Sequence, residues 1–349
     1  MTIIRLGGSP ASALTHLAMV GLAAILHDRT GVDVRICWIE SNGLTAQVDV
    51  PDLTAHEIAA VIGEHAAECA KPDSWVSQDL DHEGRLTAVY SPRIKPASSK
   101  EQWARLQKQR HEGIDRIQHD GGGRLDLRFV HALGEPAYWR SAPNGPRPDE
   151  GASRWEMKTR NRGEEFVGNR LRLLAAAVGD RDNELILQGL TGAAVRDECG
   201  KNARDSRTST GLTRPRSTDN AVAWCALWGI AQFPIIQQVD RRSATAGYLE
   251  ASRREPRHDA AMIIPMPIRP MVPARFRTLV RGPELVAGGC SGLEPDGSAA
   301  EISAAALEWF RARGIGALMR FSIERVGSSS APENRLLDGV MIRTGARPR

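Results

Sequence analysis

Residues 221–230, AVAWCALWGI, are apolar on every side of a helix, with Trp224 and Trp228 one turn apart. A helix with no polar face is stable only when it is surrounded. The chain must therefore build a core around this segment, and Ser217, Thr218 or Asp219 is placed to cap its start. At 349 residues, 41% hydrophobic and 25% charged, the chain has the material for such a core and for about two domains. That composition excludes disordered, fibrous and disulfide-scaffold classes. The other long apolar run, residues 13–26, is too short to span a bilayer and contains Thr15 and His16. It leads into His27-Asp28-Arg29 rather than a small-residue cleavage site, so a cytoplasmic protein with no membrane contact is expected.

The remaining periodicity alternates between helix and strand. Ser9-Pro10 followed by Leu14, Leu17, Leu22, Ile25 and Leu26 predicts a helix over 10–27. Residues 34–39 and 44–50 read as strands joined at Asn42-Gly43, and Thr54 with Glu57 forms a capping box for a helix to about residue 70. A short strand over 85–90 is expected next. Ser98 and Glu101 suggest a capping box for a polar helix over 100–118, and residues 125–130 suggest a strand. Phe166, Val167, Leu171, Leu174 and Val178 mark a helix over 164–178. Four prolines in residues 265–273 predict an extended loop or sheet edge. Ser298 and Glu301 suggest a cap for a last helix ending at Gly314, before strands over 317–324 and 336–343. The expected class is α+β, with mixed small sheets, several helices and many loops. Two subdomains are expected: an N-terminal α+β unit over 1–135 and a basic unit over 136–349.

Signatures of chemistry are scarce. Neither GxxxxGK[ST] nor a strand–GxGxxG–helix is present, so no cofactor is expected. Gly7-Gly8 before a helix reads as a turn, and Gly288-Gly289-Cys290-Ser291-Gly292 only loosely resembles a nucleophile elbow. The five cysteines are scattered without a CxxC pair, which gives no zinc ribbon or disulfide framework. Three His-Asp dipeptides occur, at 27–28, 119–120 and 258–259. His27 and His119 fall at helix ends, where a histidine complements the dipole. His119, Asp120, His258 and Asp259 remain the residues a metal-dependent phosphohydrolase would need. Asp79, Asp81, His82 and Glu83 before Gly84 read as a turn.

Charge gives the stronger signal. Residues 1–100 carry 8 Lys/Arg against 12 Asp/Glu, whereas the rest carries 38 against 30. Within residues 200–216, Lys201, Arg204, Arg207, Arg214 and Arg216 face only Asp205. Asn202, Ser206, Thr208, Ser209, Thr210 and Thr213 are interleaved with them as donors to phosphate oxygens. A structureless loop of this length is usually functional or disordered, and a solvated surface loop is the bland alternative. Lys158, Arg160 and Arg162 form a second cluster, with Trp155 beside it as a base-stacking candidate. Arginines at 253, 254, 257, 269, 275, 277 and 281 form a third. Basic loops without a groove-reading motif suggest contact with the nucleic-acid backbone. The preference for Arg (40 residues) over Lys (6) suits phosphate forks, although a GC-rich genome would produce the same bias.

Two stretches carry a family resemblance. SPASALTHLAMVGLAAIL (9–26) resembles the opening of large subunits of type I CRISPR effector (Cascade) complexes, and SRTSTGLTRPRSTDNAVAWCALWGI (206–230) resembles an internal motif of compact variants of that subunit. The resemblance implies a non-enzymatic subunit of an RNA-guided antiviral surveillance complex. Its partners would be guide RNA, target DNA, the other effector subunits and a transient helicase–nuclease. Such a subunit reads the short motif beside the target and helps open the duplex. On this reading Lys201, Asn202, Arg204, Arg207, Arg214 and Arg216 contact phosphates or target-adjacent duplex, and Lys158, Arg160 and Arg162 track a strand. The same complexes also contain backbone subunits that coat guide RNA, which leaves that role as an alternative.

Overall fold

The computed structural model describes all residues except 42, 83, 93–98, 120–122, 135–140, 143–144, 147–151, 158–165, 207–209, 237–243, 295, 329–330 and 346–349. The fold is α+β. Its N-terminal sheet is antiparallel in the order β1 (Thr2–Arg5), β3 (Leu44–Val50), β2 (Arg35–Glu40). Helix α1 (Ala13–Thr30) separates β1 from β2, and α2 (Ala55–Ala70) follows β3. Ribbon β4–β5 (Asp79–His82, Arg85–Ala88) leads to α3 (Lys100–His119) and α4 (Arg124–Leu133). Ribbon β6–β7 (Ser141–Ala142, Gly145–Pro146) precedes α5 (Arg172–Gly179), α6 (Asn183–Thr191) and α7 (Asn220–Gly229). Ribbon β8–β9 (Ile235–Ile236, Ala244–Thr245) precedes a larger antiparallel sheet. That sheet orders β10 (Tyr248–Leu249), β11 (Ala261–Pro267), β12 (Ile315–Ser328) and β13 (Ala331–Leu336), with β14 (Val340–Arg343) also on β12. Between β11 and β12 lie α8 (Pro273–Arg281), α9 (Glu284–Gly289) and α10 (Gly297–Ala312).

Helix α7 is buried along its whole length, as its composition requires. Helix α1 is buried from Ala13 to Leu26 on all sides, including Thr15 and His16. The two helices pack on each other closely enough for their backbones to touch. A Cβ added at Gly21 would lie 1.8 Å from the Cys225 carbonyl oxygen, and one at Gly229 would lie 2.2 Å from that of Leu17. Trp224, Trp228, Trp75, Phe129 and His65 surround this crossing as a cluster of edge and tilted ring contacts. Helix α2 opens on the expected capping box: Thr54 Oγ1 accepts from Glu57 N, and Glu57 Oε2 accepts from Thr54 N. It carries α5 and α6 on its flank. The expected division at 135–136 lies outside the described residues, and one hydrophobic core runs from Ile4 to Leu336 across both halves.

Two local expectations are corrected, those for residues 125–130 and for the cap of α10. Residues 125–130 form helix, not strand, because Leu125, Phe129, Val130 and Leu133 are spaced for one buried face. The Asp28 carboxylate holds its first turn by accepting from Leu125 N at 3.0 Å. Ser98 lies outside the described residues; Ser99 Oγ accepts from Gln102 N in the first turn of α3. Helix α10 is capped by Asp296, which accepts from Ala299 N at 2.9 Å, rather than by Ser298. Residues 261–267 form a fully buried strand in which Pro265 and Pro267 sit at a sheet edge, since β10 pairs only with residues 261–262. Ile263 N–H points to Gly247 and not to β12, so the same-parity prolines lack their N–H on the side that β10 does not reach.

Asp126, in the first turn of α4, accepts from Trp75 Nε1 at 2.7 Å. Burial raises its pKa from 3.8 to about 6, with Asp28 and Glu68 pushing the same way and the Trp75 bond and Arg29 opposing. Between those values the folded state binds the proton more tightly than the unfolded chain, so this group's contribution to stability falls as pH rises through 6. The buried histidines His16 and His65, lowered to about 4 and about 3 by desolvation, act in the opposite direction. The readout is therefore a difference. Asp126→Asn, which keeps an acceptor for Trp75, gains stability relative to the parent as pH climbs from 4 to 7. Paired denaturant melts across that range measure it, and a pH-independent difference overturns the assignment.

Candidate functional site

The segment from α6 to α7 is an irregular loop anchored on two carboxylates. Asp197, 1% exposed, accepts from Gly200 N at 2.8 Å and Thr218 N at 3.2 Å. Its own N–H donates to Asn202 Oδ1, and its carbonyl accepts from Asn202 N. Lys201 and Asn202 take the left-handed backbone (φ 57° and 54°) that closes this turn. Asn202 is thus a turn-forming residue, whereas Lys201 and Arg204 stand exposed beside it.

The second anchor is Asp219, the N-cap of α7. It accepts from Ala221 N (2.8 Å), Arg196 N (3.0 Å) and Arg181 Nη1 (3.0 Å). Both side chains of the Arg181–Asp219 pair are 4% exposed. Arg181 also reaches Glu198 at 2.6 Å and the Arg196 carbonyl, while Asn220 Nδ2 donates to Glu198. Ion pairing raises the Arg181 pKa against the cost of burial. Gly189 admits the carboxylate: a Cβ there would lie 2.3 Å from Asp219 Oδ1. The sequence marks Asp219 as a possible cap, but nothing local marks Arg181 as its partner 38 residues away.

The rest of the loop is stitched to distant chain. Leu14 N donates to the Leu212 carbonyl and Leu336 N to that of Gly211, and Leu212 is fully buried. Ser206, Thr210 and Thr213 are buried as well, which corrects their expected role as phosphate donors. Their backbone lies where the loop plugs into the core. Arg214 and Arg216 remain exposed. Arg214 pairs with the equally exposed Asp338 at 3.2 Å, and Arg216 Nη2 donates to Ser12 Oγ at 3.1 Å. Arg216 borders a cleft of about 330 Å³ lined by Gly7, Gly8, Thr15, Gly192, Ser217 and Thr218, among others. Thr218 donates its hydroxyl to the Arg216 carbonyl, and Asp219 is fully engaged, so the guanidinium is the cleft's charged donor. This arrangement can hold an anionic oxygen.

Lys158, Arg160, Arg162 and Arg207 lie outside the described residues. Trp155 is fully buried with Nε1 donating to the Ala246 carbonyl, packed between Phe233 and Tyr248, so it cannot stack bases. The third basic stretch is split. Arg253, Arg254 and Arg257 are exposed around a turn, Arg275 bonds the Arg313 carbonyl, and Arg277 and Arg281 sit on α8.

Among the described residues the His-Asp dipeptides do not converge on a metal site. His27 Nδ1 meets the Val32 carbonyl at the end of α1, and Asp28 serves α4. His119 ends α3, Asp120 is outside the described residues, and His258 Nδ1 meets the Asp259 carbonyl on the surface. Among the described residues no three His, Cys, Asp or Glu side chains group to hold a metal. Asp79 pairs with Arg172, and Asp81 accepts from Gly84 N as a turn residue. Burial raises the Cys290 thiol pKa, the reverse of an activated nucleophile. Among the described residues no helix is long and apolar enough to cross a membrane. The chain matches no protein-family model, no curated protein and no solved structure.

Proposed function

We propose that this chain is a non-catalytic nucleic-acid-binding subunit of an RNA-guided CRISPR surveillance complex, working in the cytoplasm. It would recognise target-adjacent duplex DNA, aid strand separation and recruit a nuclease. The observation that carries the reading is the 200–216 segment. Ser206, Thr210, Leu212 and Thr213 are anchored inside, while Lys201, Arg204, Arg214 and Arg216 stand exposed. The two stretches that resemble the large subunit also meet in space, since α1 packs on α7 and Leu14 bonds Leu212. They form one unit of the fold.

Replacing Arg207, Arg214 and Arg216 together with Ala tests the reading. Affinity for duplex DNA should fall, and the salt dependence should flatten by about 0.9 for every phosphate that is no longer neutralised. Exposed ion pairs such as Arg214–Asp338 are worth about 0–1 kcal/mol, so the melting temperature should barely move. Unchanged affinity and slope overturn the assignment of the loop. Metal-dependent cleavage by the isolated chain overturns the non-catalytic reading, and a preference for guide RNA over duplex DNA points to a backbone subunit instead.

A further inference from the structure

Helices α4 and α8 both pack on the turn at Ile230–Gln232, and each carries two arginines four residues apart: Arg124 and Arg128, Arg277 and Arg281. Like charges at this spacing share one helix face and destabilise it unless something neutralises them. Among the described residues no carboxylate comes within ion-pair distance of any of the four and none of them donates a hydrogen bond to protein, although Asp28 feels the charge of Arg128. Arg277 is the most exposed to this conflict. Its side chain is half-buried and its Nε is fully buried without a partner. Desolvation, then the charges of Arg128 and Arg281, hold its pKa below the ordinary arginine value. A protein that only needed to fill this position would gain by an apolar side chain.

Arg124 and Arg128 also line an open trough of about 750 Å³ with His27, Asp28, Gln118, Gly123 and Leu127. Asp28 is the one carboxylate among these lining residues, and its Oδ1 is engaged by Leu125 N. None of these lining residues has an aromatic ring for a base to stack on, apart from the imidazole of His27, whose Nδ1 is held by the Val32 carbonyl. The trough is far larger than one phosphate group. Arg277 and Arg281 stand on α8 outside its lining, with Arg277 near enough to feel the charge of Arg128, and guanidinium forks on two helices suit a run of phosphates.

We propose that Arg128, Arg277 and Arg281, with Arg124 at the rim, form a second nucleic-acid contact that binds a single strand through its phosphodiester backbone. This site is distinct from the 200–216 loop, and it rests on the nucleic-acid reading above. Contact is with the backbone, so binding discriminates little between sequences, and salt weakens it steeply.

The test uses the full chain and fluorescein-labelled single-stranded DNA and RNA of one sequence, titrated across a salt series. Arg128→Gln/Arg277→Gln/Arg281→Gln should weaken binding roughly tenfold or more, as charge-assisted bonds disappear. The log–log salt slope should fall by about 0.7 for each phosphate left without its arginine. The ligand-free triple variant should melt close to the parent, because the like-charge repulsion it relieves offsets the lost attraction between Arg128 and Asp28. Arg124→Gln/Arg281→Gln, both exposed, leaves the half-buried position intact and should give a smaller change of the same sign. Unchanged affinity in the triple variant, while the loop variant loses duplex binding, overturns this site and leaves the proposed function standing. A lower melting temperature without a change in salt slope assigns the arginines to folding and also overturns it. A parent chain that binds duplex but neither single strand overturns this site alone, and one that binds no nucleic acid at all overturns both. Whether DNA or RNA binds tighter identifies the strand in the trough.

Discussion

Gly21→Ala is expected to unfold the protein or lower its melting temperature more than any surface change. Alanine is the better helix former by about 1 kcal/mol, so propensity alone predicts a gain. Packing predicts the reverse. The new Cβ would sit 1.8 Å from the Cys225 carbonyl oxygen and 2.6 Å from Gly229 N, both backbone atoms that no rotamer change can move. Helices α1 and α7 would have to separate in the middle of the core, and overpacking of this kind costs about 1–3 kcal/mol or more. Against a total stability of about 5–15 kcal/mol that is a large fraction. Gly297→Ala is the control, since a Cβ there meets nothing within 4 Å. Thermal melts of both variants, with near-ultraviolet circular dichroism reporting Trp224 and Trp228, give the comparison. A Gly21→Ala protein that melts like the parent overturns the described crossing.

Asp219→Ala should be comparably severe for a different reason. It removes the cap of α7, worth about 1 kcal/mol, and leaves the Arg181 guanidinium, 4% exposed, without its buried counter-charge. Breaking one side of a buried pair costs about 3–5 kcal/mol, because the remaining charge stays desolvated. Glu198 lies closer to water, with 42% of its side chain exposed, and compensates only in part. Asp219→Asn retains the cap acceptor but not the charge, so it should fall between the parent and Ala. Arg181→Met combined with Asp219→Ala should cost less than the two singles added, which a denaturant-melt cycle reads directly. Strict additivity would mean that the two side chains do not depend on each other.

Features settled by neighbouring residues were legible in the sequence. The capping box Thr54–Glu57 and the all-apolar run of α7 each state their structure within a turn or two. Features settled by distant chain were not. Residues 125–130 alternate apolar and polar like a strand, and only the surrounding core together with the cap from Asp28 shows that the helical spacing prevails. Pro265 read equally as loop or as sheet edge, and the sequence does not say how short β10 is, which is what decides for the edge. Trp155 stood beside lysine and arginine in sequence, yet its ring belongs to the Phe233–Tyr248 core. The basic loop itself was visible as composition. Of its two anchors, Asp219 was visible only as one of three residues placed to cap α7 and Asp197 was hidden, because a structural carboxylate looks the same as any other until its donors are known. The buried serine and threonines of that loop were misread for the same reason: hydroxyls suit a phosphate and a plugged turn equally well.

The loop's backbone is tied at Leu212 to residue 14 and at Gly211 to residue 336, while Ala11 accepts from Gly339 N. The last of these bonds joins residues more than three hundred apart in order of synthesis, and the other two bring the loop against the same two ends. Helices such as α2 can form as soon as they emerge from the ribosome, but the surface that displays Arg214 and Arg216 cannot take shape until β13 has arrived. Contacts of such long sequence separation form slowly. The chain therefore acquires its cationic face late. A nascent or prematurely ended copy would present a half-made core without that face.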